Sequence, residues 1–169
     1  MVLSAIAQFI GWFWIVKLIR TNISELSQGM TSLGKWLIVL PMAALFIKFT
    51  LQLTASHPGL TKIAYEFHAI VIGFLHLVFL AITSLFILGY IINNNLMVVS
   101  SVAKRGIYIF TAGIIFSELL LMSQGVAALF LKTIPLMEVY LFFSALIMFA
   151  GVLMINIGSR AAMPGLASE

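Results

Sequence analysis

Residues 65–92 read YEFHAIVIGFLHLVFLAITSLFILGYII. About 20 apolar residues are enough to cross the hydrocarbon of a bilayer, and this run is longer than that. It predicts a membrane-spanning helix. Two histidines, His68 and His76, lie within it, and Glu66 stands at its start. Polar groups at bilayer depth are expensive, so each needs a partner or a task.

The rest of the composition agrees with a membrane solvent. The chain has 169 residues, 63% of them hydrophobic and 8% charged, with a mean hydropathy of +1.19. A soluble domain carries about a quarter charged residues, and so few charges could not cover a water-facing surface. There is no cysteine and no aspartate. That excludes disulfides, thiolate metal sites and cysteine nucleophiles. The net charge of +4 reads as loop charge that sets orientation, not as a nucleic-acid footprint. No polar stretch exceeds roughly 15 residues, too few for a separate soluble domain.

Working outward from the central run gives an all-α, polytopic transmembrane bundle of five spans in a single domain, 1–169. Val2 to Ile19 is the first, with Phe9, Trp12, Phe13 and Trp14 in its second half and Lys17 and Arg20 at its end. A cleavable signal would carry its charges before the apolar run. The segment reads as an uncleaved span, with a helix lying in the interface as the alternative. Thr21 to Lys35 is a polar loop. Trp36 to Ala55 is the second span, with Pro41 one turn in and Lys48 and Gln52 on one face. Ser56-His57-Pro58-Gly59 is a turn. The third span, 66–92, ends at Asn93-Asn94-Asn95, since Asn tolerates the left-handed backbone. Lys104 and Arg105 close the next loop. Residues 106–131 and 137–157 are the fourth and fifth spans. Ser144, Ala145, Ala150 and Gly151 in the last allow close helix approach.

Positive charge orients the bundle. Lys17, Arg20, Lys35, Lys104, Arg105 and Arg160 fall on one side of it, Lys62 and Lys132 on the other. This puts the N-terminus outside and the C-terminus in the cytoplasm, in the inner membrane of a cell. At about 1.5 Å of rise per residue, His76 lies roughly 12 Å deeper than His68. Lys48, Gln52, Glu118 and Gln124 then sit at middle or outer depth, with His57 just above, and the inner half is almost wholly apolar.

Each polar residue has a plain reading beside a functional one. Lys48 can snorkel outward along its aliphatic stem. His68 can be an interfacial residue and His57 a loop residue, or the two can hold a metal at the outer surface. His76 is too deep to snorkel. It makes an interhelical hydrogen bond, ligates haem or another metal, or handles protons. Glu118 is protonated, paired with Lys48 or His76, or beside water. His68 and His76 are eight residues apart, hence about 80° apart around the helix and two turns apart along it. They cannot chelate one metal, so an axial partner for either comes from another helix or chain. No HExxH, phosphate loop or Ser-His-Asp set is present.

Leu45 to Leu53 (LFIKFTLQL) and Ala69 to Tyr90 (AIVIGFLHLVFLAITSLFILGY) together resemble the C-terminal half of a group of bacterial multi-span membrane proteins. That group is loosely similar to the haem- and copper-containing nitric-oxide-response (NnrS-like) membrane proteins, and through them to the haem-copper oxidase main subunit. The resemblance covers about a third of the chain and would carry over Lys48, Gln52 and His76. Those proteins have about twice as many spans and several more helical histidines. The chain alone could not be such an oxidase, and one half of a split protein or an accessory subunit is what the resemblance implies.

Three functions follow. The first is a membrane subunit of a redox or respiratory complex, with a haem, metal or quinone at His76 and His68 near the outer face. The second is a structural or assembly subunit without a cofactor. The third is a small transporter or channel with a polar path through Lys48, Gln52, Glu118 and Gln124. The partners expected are the lipid bilayer and other membrane subunits or further copies of the chain, and no nucleic acid. No catalytic residue stands out, and an intramembrane hydrolase lacks a nucleophile and base at matching depth.

Overall fold

A computed structural model of the chain describes residues 2–26, 28–55, 68–130, 132 and 134–161. Among these residues all regular structure is helical. Five helical stretches are long and apolar enough to cross a membrane: Leu3–Thr21, Ser32–Ala55, Ile70–Asn93, Ser101–Ala128 and Met137–Arg160. Large apolar side chains such as Trp14, Phe142 and Phe149 are more than 60% exposed. Such surface is tolerable only against hydrocarbon or another protein. The chain forms two compact units, 1–93 and 94–169.

The first unit contains α1 (Val2–Thr21), the short α2 (Ile23–Leu26), α3 (Ser32–Ala55), α4 (His68–His76), a π-helical segment (Leu77–Ser84) and α5 (Leu85–Asn93). Helix α3 starts four residues earlier than Trp36, where the sequence suggests. Thr31 is the reason: its hydroxyl accepts from the Gly34 N–H at 3.1 Å, and its carbonyl accepts from the Lys35 N–H at 3.0 Å. A threonine in this place satisfies donors that a helix start otherwise leaves open. Pro41 is buried inside α3. It has no N–H to offer the carbonyl four residues back, which is Leu37. Gly89 of α5 packs at that spot, where an added β-carbon would lie 3.1 Å from the Leu37 oxygen. α3 packs on α1, on the π-helical segment and on α5.

At the other end of this pairing, the Asn93 side-chain amide donates to the Gly34 carbonyl at 3.3 Å. Gly34 has no side chain because a β-carbon would overlap Asn93 Oδ1. The third span then stops as the asparagine run suggests: Asn95 adopts a φ of 55°. Helix α1 joins α3 through aromatic side chains. Phe46 stacks 5.8 Å from Phe9 and 5.1 Å from Trp12, centroid to centroid.

The third span is not one regular helix. Residues Leu77–Ser84 are wound as a π-helix. Thr83 Oγ1 donates to the Val78 carbonyl at 2.9 Å and Ser84 Oγ to the Phe79 carbonyl at 2.8 Å. Both reach five residues back, which matches the widened turn. π-helical turns are rare and occur often at functional sites.

The second unit is a hairpin of α6 (Ser101–Leu129) and α7 (Met137–Ala161). α6 starts five residues before Gly106, so Lys104 and Arg105 lie in its first turns and not in a loop. Ser100 sets that start: its hydroxyl accepts from the Ala103 N–H at 3.2 Å, with extended backbone at φ −69° and ψ 169°. The helices touch through small residues. A β-carbon on Gly106 would come within 2.8 Å of the Gly151 carbonyl, and one on Gly113 within 2.6 Å of the Met148 side chain. Gly158 lies against the Ala103 backbone. The same antiparallel register brings Ser117 level with Ser144, and both are almost wholly buried. Close approach of this kind is how membrane helices gain dispersion contacts. Of the four small residues the sequence points to, Ser144 and Gly151 lie on this seam, while Ala145 and Ala150 are exposed.

Candidate functional site

His76 is the last residue of α4 and stands immediately before the π-helical segment. Its ring is half-buried, and Nδ1 lies 3.1 Å from the Ile72 carbonyl. A carbonyl only accepts, so Nδ1 carries the proton and donates. In the neutral ring Nε2 is then left with its lone pair. This is the arrangement by which proteins commonly orient a ligating histidine: one nitrogen fixed on a backbone carbonyl, the other free to bind. The fixed nitrogen costs the helix nothing extra, because the carbonyl one turn back is already within reach.

The other sequence candidates in this unit are on α3. Lys48 is half-buried and its Nζ lies 4.6 Å from the centroid of the Phe49 ring. That cation–π contact gives the ammonium a favourable neighbour in apolar surroundings. Gln52 is half-buried one turn further on and is engaged in an interaction of its own. Of His68 only its place as the first residue of α4 is described. The two histidines thus stand at the two ends of one α-helix, as their spacing suggests. His57 and Glu66 lie outside the described residues.

Glu118 and Gln124 belong to the second unit, on α6. Glu118 is 8% exposed, and its Oε1 is a buried atom without a hydrogen-bond partner. Thr111 Oγ1 is in the same condition. The two are seven residues apart, so they share one flank of α6, about 100° from the line that meets α7. Thr111 is the residue the sequence reading passes over. Its spacing from Glu118 is the signal that would have found it. Gln124 is half-buried. Ser144 and Ser123 bond carbonyls three residues back, at 2.7 Å each, and contribute no free polar group.

A third feature was not expected. One face of α1 lines an open cleft of about 410 Å³ formed by Trp12, Phe13, Val16, Lys17, Arg20 and Thr21. Trp12 Nε1 is buried and lacks an acceptor. Among the described residues no three of His, Cys, Asp and Glu come together as a metal centre would require.

No known family model, no curated protein and no solved structure matches the chain. Function therefore rests on the geometry alone.

Proposed function

We propose that the chain is a multi-pass subunit of a larger membrane assembly, and that His76 is the group it contributes to a haem or metal site. The observation that carries this reading is the His76 ring. Nδ1 is held by the Ile72 carbonyl, which leaves the Nε2 lone pair as an electron donor. Iron or another late transition metal accepts such a pair. An oxidised quinone offers only carbonyl acceptors, so the neutral ring in this tautomer cannot donate to it from Nε2. A hydroquinone hydroxyl is the quinone form it could receive. The described residues hold no complete metal-ligand group, so the remaining ligands come from outside them. A subunit role fits that requirement. The positive-inside bias supports an N-terminus on the outer side of the membrane and a C-terminus in the cytoplasm.

The test is an ultraviolet-visible spectrum of the chain purified with its partners in mild detergent, before and after dithionite. Haem bands that disappear in His76→Ala, with partners retained, support the reading. A colourless, metal-free preparation sinks it.

A second reading is a structural subunit without a cofactor. The tightly packed α6–α7 seam favours it, as does a His76 already satisfied by its own helix. On this reading His76→Ala assembles normally and supports full activity of the complex.

A further inference from the structure

We infer that the end of α1 is a binding site for an anionic phospholipid. The residues lining the cleft are spaced so that two columns run up one face of the helix: Trp12, Val16 and Arg20, and beside them Phe13, Lys17 and Thr21. The lower part is apolar. Trp12 and Val16 are half-buried and form the floor, and Phe13 is exposed beside them. The upper part is cationic. Lys17 and Arg20 are both exposed, and among the described residues no acidic one lines this cleft. Glu25 lines a separate cleft with Leu18, Ile19 and Asn22.

From Trp12 to Arg20 the helix rises about 12 Å. That is the reach of a phospholipid from its phosphate into the start of its acyl chains. An acyl chain against Trp12, Phe13 and Val16 puts the phosphate level with Lys17 and Arg20. Two cations in a cleft with no carboxylate among its described lining select a headgroup with net negative charge. A zwitterionic headgroup would bring its own cation into the same space. Thr21 is not the selector, because its hydroxyl already donates to the Lys17 carbonyl at 2.9 Å. Lys17 also has a resting position: its Nζ lies 5.4 Å from the Trp14 ring centroid, a contact it can exchange for a phosphate. Basic residues at a membrane surface attract acidic lipids in this way, and the apolar floor turns a diffuse attraction into a seat.

The experiment uses the full chain in mild detergent and counts lipid adducts in a native mass spectrum. The probes are dioleoyl phosphatidylglycerol, dioleoyl phosphatidylcholine and inorganic phosphate. One phosphatidylglycerol is expected to stay bound, at least about tenfold more tightly than phosphatidylcholine. Lys17→Gln and Arg20→Gln each weaken it about fivefold, and the pair together roughly 30-fold. Exchanging them as Lys17→Arg with Arg20→Lys keeps it, and so does Lys104→Gln with Arg105→Gln, which removes as much charge elsewhere. Equal retention of the two lipids overturns the inference. So does an equal loss in the Lys104/Arg105 variant, which would make the effect one of bulk charge. Full competition by phosphate would make the site one for the free anion and overturn it as well.

Discussion

Gly151 lies against the backbone of Phe110, so close that a β-carbon on the glycine would come within 2.6 Å of the Phe110 nitrogen. The atom it would meet is main chain, so no rotamer change can make room. Gly151→Ala must push α6 and α7 apart, at a cost of about 1–3 kcal/mol. Gly89→Ala meets the Leu37 oxygen at 3.1 Å and should cost less. At Gly11 nothing lies within 4 Å, so alanine there should be neutral or stabilising by up to about 1 kcal/mol. Thermal melts of the three variants in one detergent should rank in that order. A Gly151→Ala protein as stable as the parent would refute the close seam.

Gly34 and Asn93 should show coupling. Gly34→Ala overlaps the Asn93 amide, while Asn93→Ala removes both the obstacle and the 3.3 Å bond to the Gly34 carbonyl. The double variant should be less damaged than the sum of the singles, by about 0.5–2 kcal/mol. Strict additivity would mean that the two residues do not meet.

Ser100 is an N-cap whose loss is measurable. Ser100→Ala removes the acceptor for the Ala103 N–H and should cost about 1 kcal/mol, while Ser100→Asn should restore most of it. Equal melting temperatures for all three proteins would show that the cap is not used.

Glu118 should be a place where stability can be gained by substitution. Its buried Oε1 has no partner to lose. Glu118→Leu removes an unsatisfied polar atom and should raise stability by about 1–3 kcal/mol. Stability that rises while activity of the assembled complex falls is the signature of a residue retained for its chemistry. A drop in melting temperature would instead reveal a structural partner for the carboxyl.

Two hydroxyls bond back into the π-helical segment. Thr83→Val with Ser84→Ala removes the bonds to the Val78 and Phe79 carbonyls. Each should cost about 0.5–1.5 kcal/mol. Hydrogen exchange at residues 77–85 should quicken in the double variant, and unchanged exchange would count against the hydroxyls as its support.

The five long apolar helices were legible because bilayer thickness dictates a length, and runs such as residues 70–93 meet it. Helix starts were misplaced by four and five residues at Ser32 and Ser101. There the polar residues Thr31 and Ser100 read as loop, although their role as caps makes them the beginning of a helix. The π-helical winding left no mark, since LVFLAITS is as apolar as any regular membrane helix and contains no glycine or proline. Of the candidate site, the histidines' places on one helix could be counted from the sequence. The Ile72 bond that fixes the tautomer of His76 could not, because it depends on a side-chain rotamer. Thr111 was readable by its spacing from Glu118. The α1 cleft was hidden because Lys17 and Arg20 already had an explanation as orienting charges.

The winding change between His76 and Leu85 has a further consequence. A turn closed five residues back holds more residues than one closed four back. A count of 100° per residue, carried across Leu77–Ser84, therefore points to the wrong side of the helix at its far end. The half that carries His76 and the half that seats Gly89 against Leu37 thus differ in azimuth from what one regular helix would give. The π-wound segment itself packs on α3, with Leu77 and Ala81 buried, so one residue gained or lost within it would turn one of the two halves away from its present bearing. The span is therefore two short helices whose relative bearing is set by the winding between them.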